Sequence, residues 1–599
     1  IEFIGLEINN KDYGSVEMKR SYAIYNFLKE NKKNYSKFIF HDFGGLAYYS
    51  LLAKNFNLEF QKNEIEISAH GNTTLSYHFG QKGINHWSES AKMFMEKKSV
   101  QLADKIYTPS KYYAEWLKEH FMARDPIHKP NIILNNKDTK STLPYTEIKN
   151  KEALIFFGRF ERLKGLDIFI DALQYLHNDQ KNYLVIFAGN KTTIDGEDSI
   201  EYVRNRLKNT SHKLEFIVNT TPEEIFELSK KYNSLFIYPT LGETSSCVVV
   251  ETILNNAAFL ASDIPGIKEL IRPKDQSNSL FKTGDSKDLT NKIKQQLTNR
   301  KKHIAELSFD MKENVNNWIE SLTKNSNQVQ KIISQQQPLV SIIVPTCDRP
   351  QLLSYTLKTL KNQSYSNIEI IVIDDNSCEH IRNEEICKEL SIKYINLPEK
   401  KYKGAACNIA SEKTSGDYIC FFDDDDLADL RMIEKYITAF KSDSSLDLLS
   451  CFVGVFEHDS WSYEKEQNKI KKEYTSLALG NSQETNLVCN LFGKGSFIVK
   501  KEAFEKVGGY ETDNGPVPMV DYRFYIKAAL SGVNIAVLPE ALYLYRKNSP
   551  NSLFYKKESK RKNLFLAKKS MIEIFKNKLG EEIGSSFTHH IWNLNKPEY

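Results

Sequence analysis

An α/β architecture is predicted, laid out in two successive blocks of mainly parallel sheet covered by helices on both faces. Three observations predict it. Short, continuously apolar runs alternate with helical segments, the alternation halts and restarts near residue 339, and 599 residues leave room for several cores. Strands that are apolar throughout, rather than on every second residue, are those buried on both faces of a parallel sheet. At roughly 100–200 residues per domain, this length implies three or four domains.

In the first block the runs are Phe38–Phe40, Ile65–Ser68, Ala153–Phe157, Leu184–Phe187, Glu215–Val218 and Leu235–Ile237. Helical segments between them supply the crossovers of a parallel sheet. A polar, Gln-rich stretch, Asn325–Gln337, then breaks the pattern. It reads as a linker or as the tail of a helix begun near Ile304. The second block restarts with Leu339–Val344 and continues through Ile368–Ile373 and Tyr418–Phe422. After Asn551 the chain turns basic and helical, with Lys556, Lys557, Lys560, Arg561 and Lys562 ahead of Leu564, Phe565 and Leu566. Such a helix either lies on a membrane surface or docks on its own domain with a solvated basic face.

Composition narrows the function classes. The chain is 41% hydrophobic and 26% charged, ordinary globular values. A formal net charge of +4 is too even for a nucleic-acid binder, which concentrates its basic groups on one face. Eight cysteines, none before Cys247, form no C-x-x-C pair, so neither a zinc site nor a disulfide framework is expected. No apolar run approaches the ~18 residues of a spanning helix, and no signal peptide is recognisable. A cytoplasmic protein is expected, with the basic tail a candidate for peripheral contact at the inner membrane face. The chain opens on Ile1 rather than Met, so a trimmed N-terminus is expected.

The strongest local signal is Phe421-Phe422-Asp423-Asp424-Asp425-Asp426. Four carboxylates after a buried strand repel one another unless a counter-ion joins them. The carboxyl end of a strand is also where open α/β sheets bind ligands. Asp423 and Asp425, two apart, are expected on one side, where they suit a hard divalent cation that takes diphosphate oxygens as further ligands. The alternative is a solvated acidic turn. Ile370–Ile373 leads likewise into Asp374 and Asp375, and Asp521 opens a helical run over Phe524–Ser531, as a cap or as a functional carboxylate.

These elements resemble, in order, a glycosyltransferase of family 2 with the GT-A fold. The match runs through Val344-Pro345-Thr346 with Arg349-Pro350, Asp374-Asp375-Asn376-Ser377, Gly404 with Asn408, Ser415-Gly416-Asp417, the Asp423–Asp426 run, Gly508-Gly509-Tyr510 and Asp521. The resemblance implies that the first strand, with Pro345 and Thr346, joins Asp374 and Asp375 in holding the donor's base and ribose. Asp424 is counted with these donor-binding residues. It implies Mn²⁺ or Mg²⁺ on Asp423 and Asp425, and Asp521 as the base that deprotonates the acceptor hydroxyl, with inversion at the sugar. Two positions depart from the family pattern: Cys407 stands where an Arg is frequent and Val520 where a Glu is frequent.

In the first block, Phe156-Phe157-Gly158-Arg159 ends a strand and Lys164-Gly165 opens the next helix. A loop with two cations at a helix N-terminus makes a diphosphate cradle. Glu243 and Glu251 bracket a later loop–helix junction, after Tyr238-Pro239-Thr240-Leu241-Gly242. Together with Ala103-Asp104 and Thr108-Pro109-Ser110, they resemble glycosyltransferase family 4, of the GT-B fold, over residues 35–325. The resemblance implies that Arg159 and Lys164 grip the donor diphosphate, that Glu251 binds the ribose and that Glu243 faces the sugar. It implies no cofactor and retention of configuration. His70 matches the histidine beside the transferred sugar, where a structural histidine is the alternative. Thr244-Ser245-Ser246 departs from the family's usual turn, and no clear first strand with a Gly-rich acceptor loop is found; part of the acceptor lobe is expected to be missing.

The expected organisation is therefore a GT-B unit with an acceptor-side lobe over 1–140 and a donor-side lobe over 141–325. A linker over 326–338, a GT-A domain over 339–555 and a basic helical tail over 556–599 follow. The expected function is a bifunctional glycosyltransferase that uses nucleotide-sugar donors, a UDP-sugar in the second site, on a glycan, lipid-linked or glycoprotein acceptor. The rival readings are a chain in which only the second half is catalytic while the first binds glycan or scaffolds, and a carbohydrate-binding adaptor.

Overall fold

The computed structural model describes residues 3–80, 83–133, 152–177, 182–298, 302–324, 336–457, 470, 472–486, 489–512 and 519–548. Most of the expected linker and the whole basic tail lie outside the described residues. Within them, three sheets form the α/β layers.

The first sheet is parallel and ordered β1 (Lys37–His41), β2 (Glu64–Ser68), β3 (Lys105–Thr108), β4 (Ile127–His128). Among the described residues no named strand precedes β1. The second sheet comprises β5 (Glu152–Phe157), β6 (Leu184–Gly189), β9 (Lys213–Val218), β10 (Asn233–Tyr238), β11 (Phe259–Ser262) and β12 (Leu280–Phe281). Its order is β12-β11-β10-β5-β6-β9, and every pairing is parallel. A two-strand ribbon, β7 (Thr193–Ile194) with β8 (Glu197–Asp198), interrupts the crossover after β6. β6 is fully buried along its length, which is why its sequence is apolar without alternation.

The third sheet is mixed and carries the parallel strands β13 (Val340–Thr346), β14 (Ile368–Asp374), β15 (Lys393–Asn396) and β16 (Tyr418–Phe421). The short β17 (Leu427–Ala428) follows, then β18 (Leu448–Glu457), β19 (Tyr474–Ser476), β20 (Phe497–Lys500) and β21 (Ile535–Lys547). The order is β15-β14-β13-β16-β20-β18-β21-β17, with β19 on β18 and an antiparallel step at β16–β20. Pro350 starts the helix Pro350–Lys361 directly after the β13 loop, where its missing N–H costs nothing. The helix Met311–Thr323 runs back from the second sheet to the first lobe: Asn314 and Trp318 donate to the Pro130 carbonyl at 3.0 and 2.9 Å.

The first lobe does not stand apart from the third unit. One apolar core runs from Met18, Tyr25 and Tyr49 of the lobe into Leu449, Phe452 and Leu479 of the third unit. Tyr49 packs edge-on against Phe452 at 4.8 Å, and its hydroxyl donates to the Ala478 carbonyl at 3.0 Å. Tyr48 donates to the Leu479 carbonyl at 2.7 Å. The N-terminal segment joins the same surface, with Tyr13 and the Thr475–Leu477 backbone exchanging bonds at 2.9 and 3.0 Å. If this shared core stabilises the lobe, Tyr49→Ala should cost about 3–5 kcal/mol in urea unfolding. Tyr49→Phe, which loses only the hydroxyl bond, should cost about 1 kcal/mol. A Tyr49→Ala protein as stable as the parent would show that the two parts hold together elsewhere.

Candidate active sites

The first candidate site lies where the carboxyl ends of β5 and β10 face the end of β2 across the gap between lobes. After β5, Gly158 and Arg159 lead into the single turn Arg162–Lys164 and then the helix Leu166–His177. Gly165 sits at φ +74°, and a Cβ there would lie 1.8 Å from the Pro239 carbonyl oxygen, so only glycine lets this turn pass beneath the β10 loop. Lys164 pairs with Glu243. Arg159 is exposed and bonded to Glu161 at 2.9 Å. Gly242 meets the first lobe so closely that a Cβ would strike the Phe79 ring at 2.4 Å. Thr244 donates to the His70 carbonyl at 2.6 Å, so His70 and the Glu243 turn, distant in sequence, share one cleft.

The His70 ring bonds Ser68 Oγ at 3.1 Å and stands edge-on to His41 at 5.1 Å. Burial and His41 lower its proton affinity, favouring the neutral imidazole. Its backbone N–H is held by the buried Asp42 at 2.9 Å, and Asp42 also accepts from Gly71 and from Tyr113 at 2.5 Å. Sequence reading passed over Asp42, which carries no signal beyond its place at the end of β1. Glu251 lies in the helix Cys247–Leu254, with Oε2 buried and no hydrogen-bond partner. Burial, with Glu223 adding repulsion, raises its carboxyl to about 7.

The second candidate site gathers at the carboxyl ends of β13, β14 and β16. β16 stops at Phe421 and the chain turns at Asp424–Asp425, so strand alternation does not reach the acidic run. Asp423 and Asp425, expected on one side, each meet a different cation of the protein. Asp423 pairs with Lys403 at 2.6 Å, and Asp425 with Arg349 at 2.7 Å. Both remain partly exposed, at 24% and 16%. Asp424, expected among the donor ligands, has no exposed surface; Thr346 donates to it at 2.6 Å and Arg349 pairs with it. Burial, against Arg349, raises Asp424 to about 7. Asp426 is fully enclosed, with Tyr543 and the Arg546 backbone N–H donating to it, and burial raises it well above the carboxylate range.

Asp374 and Asp375 lie at the end of β14, as expected, and both brace loops. Asp374 accepts from Asn383 and Tyr394 at 2.7 Å each and from the Ser377 N–H at 2.8 Å. Asp375 takes the backbone N–H groups of Lys401 and Tyr402 at 2.6 and 2.9 Å. Pro345 and Thr346 close β13 beside them and are buried. Asp521 sits in the first turn of the helix Val520–Leu530, bonded by Lys403 at 2.8 Å and by the Tyr510 hydroxyl at 3.1 Å. Burial raises its proton affinity and Lys403 opposes the rise. Asn408 brackets the Tyr510 backbone at 2.9 Å on each side, so the Gly404–Asn408 and Gly508–Tyr510 motifs jointly position Asp521. Lys403 was missed in the sequence; only its place beside Gly404 could have signalled it.

Glu251 offers a test independent of any substrate. Its carboxyl, raised in the folded protein, holds its proton more tightly than in the unfolded chain. Its contribution to stability is thus complete below the unfolded value of 4.5 and is lost as pH climbs through about 7. Glu251→Gln, which cannot ionise, should gain melting temperature over the parent at pH 8 relative to pH 5. An unchanged difference between the two pH values would mean that Glu251 is already compensated.

Residues 141–318 match the family described as Glycosyl transferases group 1, and residues 341–508 match Glycosyl transferase family 2. An uncharacterized glycosyltransferase of Haemophilus influenzae is 33% identical over 172 residues, which are 28% of this chain and 64% of that protein. The chain therefore spans just under two thirds of that relative's length. A Campylobacter jejuni protein named GalNAc(5)-diNAcBac-PP-undecaprenol beta-1,3-glucosyltransferase is 37% identical over 93 residues, 15% of this chain and 30% of the relative. Among solved structures, the sucrose-phosphate synthase of Thermosynechococcus elongatus aligns with 49% of this chain and 74% of its own, at 15% identity and a TM-score of 0.38. Among the described residues no helix is long and apolar enough to cross a membrane. By its two matched domains, a group 1 domain of the GT-B type followed by a family 2 domain of the GT-A type, the chain belongs to the glycosyltransferases.

Proposed function

We propose that the chain is a bifunctional glycosyltransferase that adds sugars from nucleotide-sugar donors to a growing glycan through two separate sites. The observation that carries the reading is the gathering, at two strand-end clefts, of opposite answers to the same charge. The first cleft sets Arg159, Lys164 and a helix start at a leaving diphosphate, with no metal. His70, held neutral, lies on the sugar side of that cleft with Glu243, and Glu251 takes the ribose. Transfer there retains configuration.

In the second cleft the donor set suits Mn²⁺ or Mg²⁺. Asp423 and Asp425 offer partly exposed, hard oxygen ligands. Among the described residues no three His, Cys, Asp or Glu side chains form a metal cage, so the ion's other ligands would be diphosphate and water. Bound there, the ion neutralises the departing diphosphate. Asp521, aimed by Tyr510, accepts the proton of the acceptor hydroxyl, which attacks opposite the leaving group and inverts the anomeric centre. Pro345, Thr346, Asp374 and Asp375 frame the nucleotide end of this cleft, and a UDP-sugar is the proposed donor.

The Campylobacter jejuni relative's name describes an undecaprenyl-diphosphate-linked acceptor, which supports a lipid-linked or surface glycan here. The basic tail would then bring the enzyme to the inner membrane face. A second reading keeps catalysis in the second half alone and makes the first a glycan-binding or scaffolding part; the short first lobe, fused to the third unit's core, favours it.

Product analysis with a panel of nucleotide sugars separates the two. Glu251→Ala should remove one product and Asp425→Ala the other, each by about a hundredfold or more. Chelation with EDTA should abolish the second activity and spare the first. Loss of no product with Glu251→Ala would leave the second reading standing, and equal loss of both products with EDTA would contradict the metal assignment.

A further inference from the structure

The acidic strand end of the second site is served by three cations with different freedoms. Arg349 spends its guanidinium on Asp424 and Asp425. Arg546 uses its backbone N–H on Asp426 and its Nε on the Asp425 carbonyl, at 2.6 and 2.8 Å. Both are built into the turn. Lys403 is different: it stands in the first turn of the helix Tyr402–Ser411 and ends between Asp423 and Asp521, at 2.6 and 2.8 Å. One helical turn on, along the same face, Cys407 is buried and brings no charge. The ammonium thus occupies the point where, on the proposed function, the departing diphosphate and the attacking hydroxyl converge.

We propose that Lys403 is a donor-diphosphate ligand of the second site, paired with Asp423 and Asp521 in the donor-free enzyme and turned to the phosphates when a divalent ion takes Asp423. A nucleoside diphosphate carries more negative charge than one divalent ion cancels, and the remainder calls for a nearby cation. A lysine suits an exchange of partners. Its ammonium is a point charge on a flexible stem and can trade one oxygen for another, whereas the Arg349 fork is fixed by two carboxylates. The partial exposure of Lys403, 29% at its side chain, leaves it open to the cleft.

The inference rests on the proposed function, and a binding experiment tests it apart from turnover. UDP and UMP are titrated calorimetrically into the full chain with and without Mn²⁺, so that the Mn²⁺-dependent part reports the second site. Lys403→Met and Lys403→Gln should weaken Mn²⁺-dependent UDP binding by about tenfold or more and leave UMP within about twofold, since only the second phosphate is lost. Lys403→Arg should restore UDP binding to within about threefold of the parent. Melting curves identify any variant that does not fold, and Lys403→Arg against the parent then decides. UDP affinity unchanged in the uncharged variants, or UDP and UMP weakened alike, would overturn the role of Lys403. A parent chain without Mn²⁺-dependent UDP binding would instead overturn the proposed second site itself.

Discussion

Four carboxylates, Asp423–Asp426, crowd one strand end of the family 2 domain with Asp521 of a helix start beside them, and the need to neutralise them ties distant parts of the chain together. Buried charge is tolerated only when paired and hydrogen-bonded, and removing one partner of a buried pair costs about 3–5 kcal/mol. Arg349 therefore reaches in from the β13 loop, Lys403 from the helix Tyr402–Ser411, and Tyr543 and Arg546 from β21. Each contact fixes one wall of the cleft. The compensation is incomplete: Asp424 rises to about 7 and Asp426 well beyond the carboxylate range because burial outweighs the cations supplied.

The group 1 domain solves a smaller version of the same problem with the signs reversed. Its cleft presents cations and a helix start, and its carboxylates are the compensating groups, Glu243 on Lys164 and Glu161 on Arg159. Within the described residues Glu251 Oε2 has no hydrogen-bond partner, and burial, with repulsion from Glu223, raises its proton affinity. The two clefts share an architecture, parallel strands ending at a loop and a helix start, yet differ in which charge the protein gathers there.

Legibility followed the range of the interaction. The strands at Leu184, Val340 and Ile368 were plain because a strand buried on both faces carries a continuous apolar run rather than an alternation. The acidic run was plain because consecutive carboxylates after such a strand have few structural uses, whereas Asp521, a cap or a functional carboxylate by its neighbours, rested on family resemblance. The direction of Asp423 and Asp425 was not plain, since β16 ends two residues before the run and alternation has no meaning in a turn. Lys403 and Asp42 were invisible for a related reason: each acts on groups twenty or more residues away, and a lone Lys or Asp at a helix or strand end resembles any other. The meeting of His70 with the Glu243 turn came from family resemblance alone, and the Thr244 bond and the Phe79–Gly242 approach give it a physical cause.

What the sequence could not disclose at all is that the first lobe shares its core with the third unit rather than with its own partner lobe. Its contacts with the middle lobe are mostly polar: the Thr244–His70 bond, Glu269 capping the helix Lys111–Phe121 at 2.9 and 3.3 Å, and the returning helix on Pro130, beside the Phe79–Gly242 approach and the Tyr107–Trp318 ring contact. Toward the third unit it instead buries Tyr25, Tyr48, Tyr49 and Met18 in a continuous apolar layer. Apolar burial is non-directional but scales with area, whereas a handful of exposed hydrogen bonds adds little net stability. The greater cohesion therefore lies between the lobe that carries His70 and the unit that carries Asp521, across the boundary between the two domains. One uninterrupted core sets where the His70 side of the first cleft stands relative to the second cleft, and this constraint holds whichever way the middle lobe is turned.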